Sequence, residues 1–327
     1  MFLLSIHNIN GDNMRIRLGY VAVPLTLMTT SSHTMTYQKF SSLKTEEAYH
    51  KLDQIVCQNL EALMEILQYN LQQGIYFFRI TSALVPLATH PMVRYDSFQK
   101  FASSFEKIGK YVIKHGMRVD THPDQFCVLN SINASVVRSS INILEFHRNM
   151  FQAMKIDGKC VLHLGSSVMG KEESIRRFCE QFKLLSDDLR KMIMLENDDK
   201  VYTIVDVLEV CETLHIPMVL DYHHYCCNHG NEKLEDYLER IFATWDGTGL
   251  PPKVHFSSPA SRKKYRNHSD YVSYSSFIKF INLLKKVDYD VDIMIEAKGK
   301  DEALLRLSRQ IRYYSGYKLI KNAIFFV

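Results

Sequence analysis

The sequence contains no apolar run that approaches the ~20 residues needed to cross a bilayer, so it predicts a protein without a membrane partner. It also lacks a linker rich in proline, glycine or serine, a low-complexity tract and a fixed-period repeat, which argues against several domains. Residues 1–13 have no basic residue ahead of their apolar start and no small-residue cleavage site, so we expect no signal peptide. We interpret residues 1–13 as an N-terminal extension, or as the result of an upstream start, and residues 14–327 as one domain.

Paired cysteines are missing as well. The seven cysteines are odd in number, and none stands in a Cys-x-x-Cys pair. This usage argues against a disulfide framework and against a thiolate zinc site, and it favours a reducing, cytoplasmic location. Cys160, Cys179 and Cys211 are predicted to be core residues.

The excess of positive over negative charge is small, with a net charge of +4, but the basic residues are unevenly distributed. Residues 262–266, Arg-Lys-Lys-Tyr-Arg, form a dense basic segment after the seventh of the β-rich runs described next. A run of charge is typical of solvated surface, whereas beside a metal site it favours contacts with phosphate.

Eight short β-rich runs alternate with longer segments of helical periodicity. The runs span residues 16–20, 75–79, 117–122, 159–163, 192–196, 217–221, 252–255 and 292–296. The helical segments span residues 46–73, 95–115, 131–155, 172–191, 203–215, 231–244, 271–287 and 301–314. Thr203 and Asn231 are expected as helix N-caps, and Gly74 and Gly116 as helix stops. Eight strand-helix units with unbroken apolar strands predict an α/β fold, a single (β/α)₈ TIM barrel.

Ionisable side chains stand at the ends of these runs. A TIM barrel gathers its strand ends at the C-terminal rim, where active sites lie. Six unpaired ionisable groups would be costly to desolvate there, and cations remove that cost. The six residues are His122, His163, Glu196, Asp221, His255 and Glu296.

Imidazole and carboxylate ligands without thiolate suit Mn²⁺, Zn²⁺, Fe²⁺ or Co²⁺, and the large carboxylate share makes Mn²⁺ at least as good a candidate as zinc. So many ligands imply two or three ions. One point stays open: strand alternation would pair Asp221 with His223, whereas a chain that curls after Asp221 would present His224.

Nine short motifs follow one another along the chain. They are Arg17-Leu18-Gly19-Tyr20, Leu87-Ala88-Thr89-His90-Pro91, His122-Pro123-Asp124-Gln125-Phe126, Leu162-His163-Leu164-Gly165, Leu195-Glu196-Asn197-Asp198, Asp221-x-x-His224, Lys253-Val254-His255-Phe256-Ser257-Ser258, His268-Ser269-Asp270-Tyr271 and Glu296-Ala297-Lys298-Gly299-Lys300. In this order the motifs resemble those of the UV damage endonuclease family. The resemblance implies a TIM barrel related to endonuclease IV, with up to three divalent metal ions. It also implies incision of DNA immediately 5′ of cyclobutane pyrimidine dimers and (6-4) photoproducts, leaving a 3′-hydroxyl and a 5′-phosphate.

Position by position, the resemblance implies a set of nine metal ligands: His90, His122, His163, Glu196, Asp221, His224, His255, His268 and Glu296. It selects His224 over His223. Lys253 matches a family lysine reported as carboxylated near the metals, and we count it with Glu196 and Glu296 as catalytic. The two glutamates are the expected bridging ligands, and Mn²⁺ is the favoured ion, with Zn²⁺, Co²⁺ and Mg²⁺ as alternatives.

The resemblance also implies DNA contacts. Gln125 and Phe126 match the glutamine and aromatic pair that relatives insert at the lesion, although many relatives have tyrosine at the second position. Tyr20 matches a tyrosine that lines the damaged-base pocket, and Pro24 departs from the asparagine that one branch carries there. Beside the predicted metals, the basic residues are expected to contact phosphate: Arg262, Lys263 and Lys264. The expected partner is UV-damaged double-stranded DNA, bound by a monomer.

Two other classes fit part of the pattern. A sugar isomerase or epimerase shares the barrel and a pair of metal-bridging carboxylates, but it has no use for an exposed wedge or a basic loop. A non-catalytic binder of damaged DNA would keep the wedge and the basic loop but would not need nine ligands.

Overall fold

The computed structural model describes residues 14–124 and 126–327. The predicted extension, residues 1–13, and Gln125 lie outside the described residues. The described part contains the strands β1 (Arg15–Val21), β2 (Phe77–Arg79), β3 (Arg118–Thr121), β4 (Lys159–His163), β5 (Ile193–Glu196), β6 (Met218–Asp221), β7 (Lys253–Phe256), β8 (Val291–Ile295), β9 (Lys318–Lys321) and β10 (Ile324–Phe326).

The first eight strands close into a parallel barrel. Each strand from β2 to β7 pairs with the next, β8 pairs with β1, and β1 pairs with β2. The predicted TIM barrel is therefore confirmed, with strand limits within two residues of those predicted. Buried parallel strands are easy to locate because both of their faces are apolar.

Helices cover the outside of the barrel. They are α1 (Tyr37–Ser41), α2 (Thr45–Gln72), α3 (Ser97–Lys100), α4 (Ala102–Lys114), α5 (Ala134–Met154), α6 (Lys171–Lys183), α7 (Asp187–Met192), α8 (Ile204–Leu214), α9 (Tyr222–Cys227), α10 (Leu238–Ala243), α11 (Tyr274–Leu284) and α12 (Lys300–Ile311). The predicted stops are confirmed, since Gly74 and Gly116 have φ values of +72° and +59° directly after α2 and α4. Within the described ranges, no helix combines the length and the apolar character needed to span a membrane.

The helix predicted over residues 231–244 is only half formed. Lys233 is extended, with φ −96° and ψ 121°, and a short 3₁₀ turn at Leu234–Asp236 follows it and precedes α10. Asn231 therefore caps no helix, and that prediction was wrong. Thr203, in contrast, is the N-cap of α8 and forms a capping box with Asp206, as its position predicts.

A C-terminal hairpin was not predicted. Its strand β10 pairs antiparallel with the first half of β1, while β2 pairs with the second half, beginning at Gly19. The backbone N–H of Val327 donates to the carbonyl of Met14 at 3.1 Å. Phe325 is fully buried, so the hairpin adds to the core and ties the last described residue to the start of the barrel.

The barrel interior contains charges that sequence analysis did not identify. The carboxylate of Asp292 is bound by Arg17 Nε at 2.5 Å and by Arg118 Nη1 at 2.7 Å. The Arg118 guanidinium lies 5.3 Å from the centre of the Phe77 ring and 5.1 Å from that of Trp245. Burial alone would raise the pKa of Asp292, but the two guanidinium groups hold it below its usual value. We call these three charged residues the basal ion triad.

The predicted core positions of three cysteines are confirmed in part. Cys160 and Cys211 are buried in the core as predicted, and Cys179 is only half-buried. All seven cysteines lie in the described residues, and all are free thiols.

Candidate metal centre

The predicted ligands lie at one end of the barrel. His163, Glu196 and Asp221 are the last residues of β4, β5 and β6. His122 and Glu296 directly follow β3 and β8. Because all strands of the barrel run in the same direction, these side chains meet at its C-terminal rim.

Seven of the nine predicted ligands form three overlapping groups whose ligand atoms lie within 4.8 Å of one another. The groups are His122, His163 and Glu196; Glu196, Asp221 and His224; and Asp221, His255 and Glu296. Glu196 and Asp221 each belong to two groups, whereas Glu296, the other expected bridge, belongs to one. The expected bridging by Glu196 and Glu296 stays a prediction.

Glu196 lies at the centre of four imidazoles. Its carboxylate oxygens are 2.9 Å from His255 Nδ1, 3.2 Å from His122 Nε2, 3.3 Å from His224 Nδ1 and 3.7 Å from His163 Nε2. Burial would raise the pKa of Glu196, but the imidazoles, His255 and His163 foremost, hold it well below its usual range. The carboxylate is therefore ionised and able to bind a cation.

Asp221 differs from Glu196 in its electrostatic environment. Burial, together with the nearby Glu196 and Glu296 carboxylates, raises the pKa of Asp221 to about 8, although His224 opposes the shift. The Asp221 Oδ2 atom is buried and has no hydrogen-bond partner. A buried carboxylate oxygen without a partner is the kind of atom that a divalent cation would satisfy, so the residues present fit a metal site.

Backbone carbonyls orient two of the imidazoles. His122 Nδ1 lies 2.8 Å from the carbonyl of Pro123, and His224 Nδ1 lies 2.9 Å from that of Asn197. In His122 a proton on Nδ1 can donate to the carbonyl of Pro123, which leaves Nε2, the atom that faces Glu196, unprotonated and available as a ligand. In His224 the Nδ1 atom faces both the carbonyl and Glu196. Burial lowers the pKa of His224, but Asp221 and Glu196 raise it to about 11.

The structure brings His224, and not His223, to the ligand groups. Asp221 is the N-cap of the short helix α9, and its side chain accepts from the backbone N–H of His224 at 2.8 Å. The chain therefore becomes helical directly after Asp221, which replaces the strand alternation that would favour His223. The Nε2 atom of His223 instead lies 3.8 Å from Cys227 Sγ.

Lys253 lies two residues before His255 on β7 and is fully buried. Its Nζ is 2.7 Å from Asp120 Oδ2. Burial lowers the pKa of Lys253 to about 8; Asp120 opposes this shift, and Arg79 adds to it. In this structure Lys253 contacts Asp120, whose other carboxylate oxygen lies 3.9 Å from Arg79 Nε.

Arg79 and Asp120 are site residues that sequence analysis missed. Arg79 Nη1 lies 2.7 Å from Glu296 Oε1, and Nη2 lies 2.7 Å from His255 Nε2. Both residues end or nearly end apolar runs, which was the signal that identified the other ligands. Their partners lie across the barrel, on β7 and directly after β8, and a single sequence does not show which side chains meet there.

Two predicted ligands lie outside the three groups. The ring of His90 stacks on that of Tyr37 with centroids 4.1 Å apart, and its Nδ1 accepts from the backbone N–H of Met92. His268 Nδ1 lies 3.9 Å from Glu296 Oε2, at the margin of the third group.

Two of the predicted DNA contacts, Phe126 and Tyr20, differ in their exposure to solvent. Phe126 follows β3 and is 69% exposed, so its ring is free to contact a partner. Tyr20 is fully buried, and its hydroxyl donates to Asn70 Oδ1 on α2 at 2.7 Å. In this structure Tyr20 therefore faces the helix layer, and its place in a damaged-base pocket stays a prediction.

The three predicted phosphate contacts, Arg262, Lys263 and Lys264, are exposed in the loop between β7 and α11. This loop follows a strand and thus lies on the same face of the barrel as the ligand groups. We call residues 262–266 the basic loop.

Known proteins share this fold and much of this sequence. A UV DNA damage endonuclease of Bacillus mycoides (strain KBAB4) is 40% identical over 313 residues, which cover 95% of this chain and 99% of that protein. One of Bacillus pumilus (strain SAFR-032) is 40% identical over 311 residues, covering 94% and 97%. The crystal structure of SacUVDE superposes with a TM-score of 0.83 at 34% identity, covering 91% of this chain and 98% of that one.

Endonuclease IV from Thermus thermophilus has a TM-score of 0.56 at 13% identity, covering 90% of this chain and 97% of that one, and it shares the fold. The family described as UV-endonuclease UvdE matches residues 16–326. The match covers nearly the whole chain, so this protein belongs to the UV-endonuclease UvdE family.

Proposed function

We propose that this protein is a metal-dependent endonuclease that incises UV-damaged double-stranded DNA. Cutting occurs immediately 5′ of cyclobutane pyrimidine dimers and (6-4) photoproducts, and leaves a 3′-hydroxyl and a 5′-phosphate. The observation that carries this proposal is the set of three ligand groups at the barrel mouth, joined by Glu196 and Asp221. Membership of the UvdE family supports the choice of substrate.

The ligand groups fit two or three divalent ions, with Mn²⁺ favoured by the carboxylate share. When bound, such ions supply a nucleophilic water near neutral pH and polarise the scissile phosphate. Glu196 and Asp221 would hold neighbouring ions through their two oxygens. His122, His163, His224, His255 and Glu296 would complete the groups, with His90 and His268 as further ligands from the surrounding loops.

Damage recognition rests on residues around this centre. A photodimer is poorly stacked, so extruding it costs less than the few kcal/mol needed at an intact step. The exposed ring of Phe126, with Gln125 beside it in sequence, would fill the space that the lesion leaves. The basic loop would hold the backbone through phosphate contacts that do not depend on sequence.

The direct test is incubation of the purified protein with Mn²⁺ and supercoiled plasmid, either UV-irradiated or untreated. We expect nicking of the irradiated plasmid alone, prevented by EDTA. A polymerase should extend the new ends, and their position on a duplex with one defined dimer should lie at its 5′ side. Equal nicking of both plasmids, or binding of irradiated DNA without nicking at every metal tested, would contradict the proposal. The latter result would favour a non-catalytic binder of damaged DNA.

A second prediction concerns the basic loop. Changing Lys263 and Lys264 together to alanine should weaken binding to irradiated and untreated DNA alike, because phosphate contacts do not read damage. The slope of log affinity against log salt should flatten by about 0.9 for each phosphate that the variant no longer neutralises. Affinity would be measured over a salt series by fluorescence anisotropy.

The matched control for this change is the double substitution of Lys285 and Lys286 by alanine. These lysines are also adjacent and exposed, but they follow α11, at the opposite end of the barrel. This control variant should leave the slope of log affinity against log salt unaltered. If both double variants keep the wild-type slope, the basic loop is solvated surface.

A further inference from the structure

Exposed apolar side chains are concentrated at the C-terminal rim. Among the described residues, thirteen large hydrophobic side chains are exposed, and nine of them lie in loops that follow barrel strands. Scattered exposed apolar residues are ordinary, but a concentration on one face indicates contact with a partner. The face concerned is the one that holds the ligand groups.

Two of these residues are adjacent in the loop between β4 and α6. Val168 is 74% exposed and Met169 is 55% exposed. Gly170 follows with a φ of +84° and leads into α6. The loop begins at His163, a member of the first ligand group, so it extends outward from the candidate metal centre.

This loop is joined to the loop that carries Phe126. The buried side chain of Asn130 donates to the carbonyl of Ser166 at 2.7 Å and accepts from the backbone N–H of Ser166 at 2.8 Å. The hydroxyl of Tyr202 donates to the same carbonyl at 2.7 Å. A Cβ atom at Gly165 would lie 2.8 Å from Asn130 Oδ1, so the absence of a side chain permits this approach.

The two loops therefore form one unit with two apolar tips. Phe126 is the first tip, and Val168 with Met169 is the second. The bases of the loops are also close, since the rings of His122 and His163 lie 5.2 Å apart. Both loops therefore start at the first ligand group.

We propose that Val168 and Met169 form a second apolar contact with damaged DNA, beside the one made by Phe126. This inference rests on the proposed function. Apolar side chains such as methionine contact DNA by entering between base steps, which costs a few kcal/mol of unstacking at an intact step and less at a step that is already poorly stacked. The second contact therefore distinguishes damaged from undamaged duplex and contributes little to general affinity.

The test is the double variant V168S/M169S, titrated with two duplexes that differ only in one cyclobutane pyrimidine dimer. The titrations are done at fixed salt in EDTA, so that no cutting occurs. We expect affinity for the damaged duplex to fall about tenfold, and affinity for the undamaged duplex to stay within about twofold, since phosphate contacts persist. F126A should act in the same direction.

L184S is the matched control, because Leu184 is 78% exposed but lies between α6 and α7, away from the rim. It should leave both affinities unchanged, and all variants should melt at the wild-type temperature. If V168S/M169S discriminates as wild type does, the second contact is refuted. If wild-type protein itself fails to prefer the damaged duplex or to nick irradiated plasmid, the proposed function is refuted instead.

Discussion

Replacing Glu196 with glutamine should remove most nicking of irradiated plasmid and release at least one metal ion. Glu196 belongs to two of the three ligand groups and faces four imidazoles. The amide keeps the shape of the side chain but offers one neutral oxygen in place of two charged ones, so it does not bridge two cations. Nicking and bound metal would be measured on the same preparation, the latter by mass spectrometry.

Glu302 provides the control for this change. It is exposed in the first turn of α12, near the rim, and belongs to none of the ligand groups. E302Q should keep both metal and nicking. The E196Q protein should still prefer damaged duplex, because the apolar tips are untouched. Wild-type nicking by E196Q, or by enzyme treated with EDTA, would contradict metal-dependent hydrolysis at this centre.

Replacing Asp292 with alanine should destabilise the fold severely. Removal of the carboxylate leaves the guanidinium groups of Arg17 and Arg118 without a counter-charge in the barrel interior. Breaking a buried ion pair in this way costs about 3–5 kcal/mol. The free energy of unfolding would be obtained from urea titrations of wild type and variant.

We attribute the large effect of D292A to burial of the ion pair. The control therefore breaks an exposed ion pair of similar geometry. Arg240 binds Glu212 through two hydrogen bonds of 2.9 and 2.7 Å at the surface. E212A should cost only a small fraction of the effect of D292A, because water screens the exposed pair. Equal effects of the two changes would show that the basal ion triad contributes no more than a surface pair.

The same triad has a defined pH dependence. The pKa of Asp292 is lowered in the folded state, because Arg17 and Arg118 outweigh the effect of burial. Its contribution to stability is therefore fully present above the pKa of the unfolded chain, about 3.9, and is lost as pH falls through the folded value. The difference between wild type and D292A should accordingly be constant near neutral pH and shrink in acid.

Much of the barrel could be predicted because its strands are buried on both faces and therefore stand out as apolar runs. The hairpin of β9 and β10 could not, since three of the four β9 residues are exposed and the pairing of β10 with β1 joins the two ends of the described chain. The helix over residues 231–244 failed for a local reason, because periodicity alone does not reveal that Lys233 is extended and that α10 begins only at Leu238.

The ligand groups followed from a simple rule, a polar residue at the end of an apolar run. That rule, together with the family resemblance for His224, found seven residues that the structure brings together. It missed the roles of Arg79 and Asp120, because these depend on contacts across the barrel: Arg79 contacts Glu296 and His255, and Asp120 contacts Lys253. Strand alternation alone does not determine which face of β1 points outward. The contact of Tyr20 with α2 shows that its side chain faces the helices.

The pairing of β1 has a consequence for synthesis on the ribosome. This strand emerges before the other seven strands of the barrel, yet two of its partners, β8 and β10, are translated late. Until then the nascent chain exposes one edge of β1, and the wall of the barrel has a gap. Pairings between residues so far apart in the chain are slow to form, and unpaired edges invite aggregation. We therefore expect the barrel to close only after β8, which pairs with β1, has left the exit tunnel.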